Sequence, residues 1–301
     1  MGLDSSAVQL LGAARRHGVD FHDLLTIGRQ NFYPARETLD RVLKALGSGK
    51  DASAFPPGFA EPFFEELGAV NPRAMDHSDY EGAQVVHDLN KPIPAELRNR
   101  FGVVFDGGTI EHVFNAPQAL KSMMEMVRVG GWFIQVTAGN NFLGHGFWQI
   151  SPELIFRCFT PENGYEPPIV LLKEAPYDDA WYASKDPARI GRRVELRNQV
   201  PTYICTIARK TADVEAFASP PQQSDYAVLW ESDKWFDSHG FTKRRRSLKH
   251  RLPIPRRLKP LLKWSAVSLG VVSAFESDCY TRIPEAAFLR GDLSAALPPP
   301  S

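Results

Sequence analysis

The chain has 301 residues, 43% of them hydrophobic and 23% charged, with 35 basic side chains against 35 acidic ones. That composition is that of an ordinary globular protein, long enough for one large α/β domain plus an extension or for two small domains. The neutral total hides an asymmetry. Ten basic side chains and no acid fall in residues 241–263, which leaves about ten net negative charges on the remainder.

Cys158, Cys205 and Cys279 lie far apart and form no CxxC pair, which argues for a reducing compartment and against a disulfide framework. Arg15 and Arg16 interrupt the only apolar run near the N-terminus, so no signal pattern is read there. No segment reaches about 18 uninterrupted apolar residues. A cytoplasmic protein is expected.

In chain order, residues 5–17 predict a short amphipathic helix with Val8, Leu10, Leu11 and Ala14 inward. Phe21 to Ile27 predicts a first strand, meeting the turn Gly28-Arg29-Gln30-Asn31. Pro34 is placed to open a helix over Ala35 to Leu46. A flexible connection follows, then a helix over Phe59 to Leu67. Arg73 to Met75 and Gln84 to His87 predict short strands, ending at Asp76 and at Asp88-Leu89-Asn90. Phe101 to Asp106 is an apolar run closing on an acid and two glycines, Gly107 and Gly108. Beyond the polar turn with Glu111 and His112, the spacing of Ala119, Leu120, Met123, Met124 and Val127 predicts a buried helix face. Gly130-Gly131 is read as its C-cap and Trp132 to Val136 as the next strand. Strand, loop, helix and strand make one right-handed βαβ unit, with its ligand edge at Asp106, Gly107 and Gly108.

The stretch FGVVFDGGTIEHVFNAPQALKSMMEMVRVGGWFIQV resembles the later half of a class I S-adenosylmethionine-dependent methyltransferase domain, in which a strand, an "LEH"-like turn, a helix, "GG" and another strand follow in that order. The resemblance implies a doubly wound, seven-stranded, mostly parallel sheet over residues 1–212, with a basic C-terminal extension over 213–301. In that topology the final strand pair, Ile169 to Leu172 and Thr202 to Ala208, is antiparallel and the last strand inserts into the sheet.

It further implies S-adenosyl-L-methionine as cofactor, held by Gly28, Arg29, Asp76, Asp88, Leu89, Asp106, Gly107 and Gly108. The family shows an acid and a G-x-G-type turn after the first strand, where this chain has Gly28-Arg29-Gln30. Asp76 is the implied ribose ligand, its two acceptor oxygens matching two vicinal hydroxyls; the alternative is an Asp capping a turn. Asp88 and Leu89 stand at the implied adenine contacts, or in an ordinary loop. His112 is positioned to take a proton at neutral pH, with Glu111 beside it; the same pair also serves purely structural roles.

Thr137 to Gln149 is read as a loop on the substrate side, offering Asn140, Asn141, His145 and Trp148. Ser151-Pro152-Glu153 opens a helix with Ser as N-cap and Leu154, Ile155, Cys158 and Phe159 inward. Tyr177 to Gln199 is read as a polar connection. No Ser-His-Asp grammar, P-loop or metal spacing is present, and Glu111-His112 alone does not make a metal site.

After Asp213 come a Pro-rich linker, a Trp-bearing segment Tyr226 to Phe236, the basic run 243–263 and an apolar stretch Leu261 to Phe275. A basic run beside apolar residues can contact an anionic membrane surface, can contact nucleic-acid phosphate, or can be a solvated face. The terminal LSAALPPPS is expected to be disordered. The resulting expectation is methyl transfer to a small-molecule, glycan or lipid-linked acceptor. The alternative is a degenerate member of the fold, acting as a binding or scaffold protein, attached to an anionic membrane through its basic extension.

Overall fold

The computed structural model describes residues 2–175, 180–227 and 274–297. The basic run 243–263, most of the Trp-bearing segment, nearly all of the apolar stretch and the terminal prolines lie outside the described residues. Among the described residues, no helix is long and apolar enough to cross a membrane.

The elements are β1 (Gly2–Leu3), α1 (Ser5–His17), β2 (Leu24–Ile27), β3 (Asn31–Phe32), α2 (Arg36–Leu46), β4 (Gly58–Phe59), α3 (Glu61–Glu66), β5 (Arg73–Asp76), β6 (Val85–Val86), β7 (Phe101–Asp106), α4 (Ala116–Met126), β8 (Val127–Asn140), α5 (Pro152–Cys158), β9 (Ile169–Glu174), β10 (Ala180–Ser184), α6 (Pro187–Ile190), β11 (Thr202–Arg209), β12 (Tyr280–Pro284) and α7 (Glu285–Leu289). Among the described residues, nine strands form one sheet in the order β12-β10-β9-β11-β8-β7-β2-β5-β6. From β6 to β8 all pairings are parallel; β11 then runs antiparallel to both β8 and β9, inserted between them as expected. β1, β3 and β4 form a small separate sheet.

Alternation along the central strands builds two cores. Val103, Phe105, Ile134 and Ile207 face one side, where Leu10, Leu11, Val42 and Phe63 from the helices α1 to α3 cover them. Val104, Phe133, Val170 and Leu172 face the other, under Leu120, Met123, Ile155 and Phe159 of the α4–α5 side. Both faces being covered, β2 and β7 are buried along their whole length, as parallel strands are. Helix α1 matches its expected span and is buried nearly all round; Gly12 lets it approach α2, since a Cβ there would lie 2.7 Å from Val42 Cγ1.

Four expectations are corrected. Gly130-Gly131 does not cap α4, which ends at Met126 with Val127 already extended. Both glycines lie within β8, where a Cβ on Gly131 would meet the Gly102 carbonyl at 2.6 Å, so close passage of β7 selects glycine there. The helix end is capped from outside: Lys210, 1% exposed, donates to the carbonyls of Val127 (2.8 Å), Glu125 (3.3 Å) and Met124 (3.4 Å). Second, Thr137 and Ala138 are buried strand residues, because β8 runs on to Asn140 in pairing with β11, and the loop begins at Asn141. Third, Leu154 faces outward while Ile155, Cys158 and Phe159 are buried, and burial pushes the Cys158 thiol up to about 12.

Fourth, the polar connection after Tyr177 contains β10, and the chain returns after the basic run to add β12 beside it. Trp181 stacks on Phe288 at 4.1 Å and Tyr182 on Phe275 at 3.6 Å between ring centroids. Residues 280–289 are therefore continuous with the sheet rather than part of an extension that starts at 213.

Candidate functional site

The parallel strands β2, β5, β6 and β7 end on one edge, and two cavities open there. The larger, about 460 Å³, is lined by Gly28, Asp76, Asp88, Leu89, Thr109 and His112 among others. Its volume is in the range of small-molecule sites. The smaller, about 140 Å³, is lined by Asp4, Tyr33, Gly108, Glu111, His112, His145 and Tyr203 among others. His112 belongs to both walls. A third cavity, apolar and about 250 Å³, lies between Phe156, Ile190 and Leu297 and holds none of the candidate residues.

Local chemistry fixes this edge. Asp106, at the end of β7 and wholly buried, accepts from Thr109 N (2.7 Å) and Gln135 Nε2 (2.9 Å). Burial, with the Glu111 carboxylate nearby, pushes its own carboxyl up to about 6. Thr109 ties the turn to β2, its hydroxyl donating to Ile27 O at 2.8 Å. Gly108 takes φ +98°, and a Cβ on it would stand 3.1 Å from Glu111 Oε1. The single 3₁₀ turn Ile110–His112 then buries Ile110 and Glu111 and leaves His112 at the surface of the cavities.

Glu111 Oε2 accepts from the Thr137 hydroxyl at 2.8 Å, and Oε1 stands 3.6 Å from His145 Nε2. The His112 and His145 rings meet edge to face at 4.9 Å. Burial, then the neighbouring His145, lowers the His112 pKa, which keeps the ring neutral at pH 7. Across the cavity, Asp4 is the N-cap of α1, accepting from Ala7 N at 2.9 Å, and it bonds the Tyr203 side chain. Burial raises its carboxyl above the usual range.

Of the sequence-read cofactor residues, Gly28, Asp76, Asp88 and Leu89 line the larger cavity, and Gly107 and Gly108 line the smaller. Asp106 lies beneath them. Arg29 lines neither. Its guanidinium pairs with Glu61 at 2.6 Å, donates to Glu81 O at 2.9 Å and lies 3.7 Å over the Phe59 ring, so it does not fill the cavity. Gln30, 1% exposed, also lines neither: Nε2 donates to Ile27 O and Gly28 O, and among the described residues its buried Oε1 has no partner.

Of the substrate-side residues, His145 alone lines either of these two cavities. Asn140 and Asn141 turn to the segment before β11, each donating to Asn198 Oδ1 at 2.8 Å. Trp148 is spent on the Val113 carbonyl at 3.0 Å. Asp4, Tyr33 and Tyr203 were not singled out from sequence; the N-cap pattern Asp4-Ser5-Ser6 before an apolar run was the one available signal, and it speaks of the helix alone.

From β6 inward the sheet reads β6-β5-β2-β7-β8-β11-β9 with β11 reversed, and its cavities sit at the carboxyl ends of the parallel strands. The fold is that of the class I methyltransferases. No family model matches the sequence, and no curated protein matches it. Solved structures similar to this class I fold include a 1,6-didemethyltoxoflavin-N1-methyltransferase of Burkholderia thailandensis with S-adenosylhomocysteine bound (15% identity, 68% of this chain and 79% of that chain, TM-score 0.37). Another is a SAM-dependent methyltransferase of Thermotoga maritima (15% identity, 68% of this chain and 89% of that chain, TM-score 0.36). Likeness at that level carries no argument about activity; the fold rests on the strand order.

The residues present fit a sulfonium nucleoside. Asp76 stands at the end of β5 with one oxygen, Oδ1, taken by His77 N at 2.6 Å, leaving acceptor capacity for sugar hydroxyls. Leu89, 7% exposed, offers an apolar contact to a base. Gln30 Oε1, without a partner among the described residues, is an acceptor matched to an ammonium donor.

Proposed function

We propose that this chain is an S-adenosylmethionine-dependent methyltransferase whose acceptor enters the smaller cavity. The observation that carries the reading is the position of His112, shared between a nucleoside-sized cavity and a polar one at the carboxyl edge of the sheet. In this reading Asp76 binds the ribose, Asp88 and Leu89 the adenine, and Gln30 the ammonium of the amino-acid end. Bound there, S-adenosylmethionine supplies an electrophilic methyl. Asp4, Tyr33 and Tyr203 orient the acceptor from the far wall, and Glu111, His112 and His145 converge on the atom to be methylated. Holding the two partners in line supplies much of the rate. His112, neutral at pH 7, is free to accept a proton or to offer a lone pair.

The acceptor is a small molecule, or the exposed end of a glycan or lipid-linked chain. For a lipid-linked acceptor, the basic run 243–263 is the proposed contact with an anionic membrane, to be read as salt-dependent binding to anionic vesicles. A second reading, binding without turnover, is favoured by one feature: the Gln30 amide already occupies the Ile27 and Gly28 carbonyls. Titration calorimetry with S-adenosylhomocysteine tests the shared core of both. Saturable binding is expected, at least tenfold weaker in Asp76→Ala. No heat at millimolar ligand overturns the methyltransferase reading, and binding with no methyl transfer to any acceptor tried favours the second.

A further inference from the structure

We propose that Glu111, His112 and His145 form a binding site for one divalent first-row metal ion, in the class of Zn²⁺, Mn²⁺ or Fe²⁺. One carboxylate oxygen and one nitrogen from each imidazole lie within 4.8 Å of one another, with Glu111 buried and both histidines exposed at the cavity. A metal at bond lengths of about 2.1 Å wants its ligand atoms roughly 3.0–3.5 Å apart. The Glu111 Oε1 to His145 Nε2 separation is already 3.6 Å, and rotation of the two exposed rings closes the rest.

Three independent features support an ion here rather than a chance meeting of polar groups. The first is charge. The Glu111 side chain is 3% exposed, and among the described residues its ion-pair partner is His145 alone, with no Lys or Arg. A buried carboxylate with so little compensation is costly, and a cation at Oε1 removes the cost. The second is ligand type. Two imidazoles and one carboxylate on one side of an ion, with the other side open, suit a borderline divalent metal and leave room for an incoming oxygen ligand. Thr137 completes the pattern by fixing Glu111 through its other oxygen at 2.8 Å, as outer partners orient metal-ligating carboxylates.

The third is construction. His145 lies 33 residues after His112, on a loop fastened to the Glu111 backbone itself. Glu111 O accepts from Phe147 N at 2.7 Å and Trp148 N at 3.3 Å, Trp148 Nε1 donates to Val113 O at 3.0 Å, and His145 N donates to Phe142 O at 2.9 Å. Phe142 is in turn packed on Tyr203, with ring centroids at 5.0 Å. A loop secured at both sides of the histidine holds its ring against Glu111 and His112.

The open side of the ion faces the cavity of Asp4, Tyr33 and Tyr203, which points to an acceptor that ligates through oxygen: a hydroxyl. This assignment rests on the methyltransferase reading, whereas metal binding itself does not. The hydroxyl proton passes to the Asp4 carboxylate. The oxygen lone pair would then form the O–CH₃ bond as the S–CH₃ bond of a bound sulfonium broke, its electron pair staying on sulfur as a neutral thioether. An ion that lowers the hydroxyl's pKa performs the ionisation that His112 alone would have to assist.

The experiment uses the untagged full chain, stripped with EDTA and dialysed, and titrated with Co²⁺ as a spectroscopic probe and with Zn²⁺ by calorimetry. One equivalent is expected, with visible d–d bands, and affinity at least 100-fold weaker in His145→Ala and in Glu111→Gln. His22→Ala, an exposed histidine away from the site, should leave it unchanged. His145→Gln is the second variant, kept in case truncation disturbs the loop. Binding that is absent at millimolar Co²⁺, or equal in wild type and both His145 variants, overturns the site. S-adenosylhomocysteine binding is measured on the same stripped sample. If it persists without metal binding, the site alone is overturned; if metal binds and the nucleoside does not, the methyltransferase reading and with it the hydroxyl acceptor are overturned.

Discussion

Gln30 lies across Gly107. A Cβ on Gly107 would overlap Gln30 Oε1 and stand 2.9 Å from its Cδ, while Nε2 is fastened to Ile27 O at 2.9 Å and Gly28 O at 3.0 Å. The residue that replaces a glycine-rich turn after the first strand is thus matched to a glycine after the fourth. Gly107→Ala should cost about 1–3 kcal/mol in urea unfolding, because the methyl expels an amide already locked by two hydrogen bonds. Gln30→Ala combined with Gly107→Ala should cost less than the sum of the two singles. Strict additivity in that cycle would show that the two residues do not share the space.

Asp106 makes stability depend on pH. Its folded pKa is raised, to about 6 from 3.8, so between those values the folded state holds a proton that the unfolded state has lost. Stability therefore falls as pH rises from about 4 to about 6, and the deficit persists above that. Asp106→Asn removes this slope. Asn still accepts from Thr109 N, and its amide can donate to Gln135 Oε1, buried and without a partner among the described residues, once the Gln135 amide turns over. Relative to wild type, the variant should gain on the order of 2–3 kcal/mol between pH 4 and pH 7 in chemical unfolding. A constant difference across that range would contradict the assignment.

Lys210 closes the C-terminus of α4 in place of a glycine cap. Lys210→Met keeps the stem and removes the charge, taking its donor from the Val127 carbonyl; Glu125 O retains Asn99 N at 2.7 Å and Met124 O the Tyr165 hydroxyl at 2.7 Å. The expected loss is about 2–4 kcal/mol, since bonds to a charged donor are the stronger kind and the acceptors are buried. The measurement is thermal or urea unfolding, with Lys210→Arg as a partial rescue. A loss under about 0.5 kcal/mol would mean that the carbonyls find water instead.

The seven core strands and α1 could be read from the chain because each is a local pattern: buried strands give continuous apolar runs such as FGVVFD, and α1 starts at a Ser after an Asp cap. What escaped was set by distant partners. AWYAS at 180–184 is five residues beside a polar connection; it pairs with β9 just before it, and β12, about 100 residues later, covers its other edge. Val127 continues the apolar spacing of α4 yet is extended, since it pairs with Phe101 of β7 while Asn99 N, Arg100 N and Lys210 take the last helix carbonyls. In the site, Glu111 and His112 were legible as a pair, and Asp76, Asp88 and Leu89 as strand ends. Asp4, Tyr33 and Tyr203 were not, as three separate elements deliver them to one cavity. Asn140 and Asn141 looked like substrate residues only because Asn198, their partner, is far away in sequence.

Gly146 is the position at which the loop and the site can be separated. It takes φ +72°, and a Cβ on it would stand 2.5 Å from Glu111 O, the atom that receives Phe147 N and Trp148 N. Gly146→Ala therefore adds a left-handed penalty of about 1–2 kcal/mol and a collision with the loop's own anchor. The loop is exposed on its outer side, so the molecule can relieve both by lifting residues 141–148 rather than by unfolding. The expected signature is a local one. Limited proteolysis near Leu143 should speed up severalfold with global unfolding shifted by at most about 1 kcal/mol. S-adenosylhomocysteine binding should survive, because the larger cavity takes no wall from this loop. Co²⁺ binding should weaken at least tenfold, because His145 leaves with the loop while Glu111 and His112 stay. A variant that loses nucleoside binding and metal binding together would instead mean that the two cavities form a single cooperative unit.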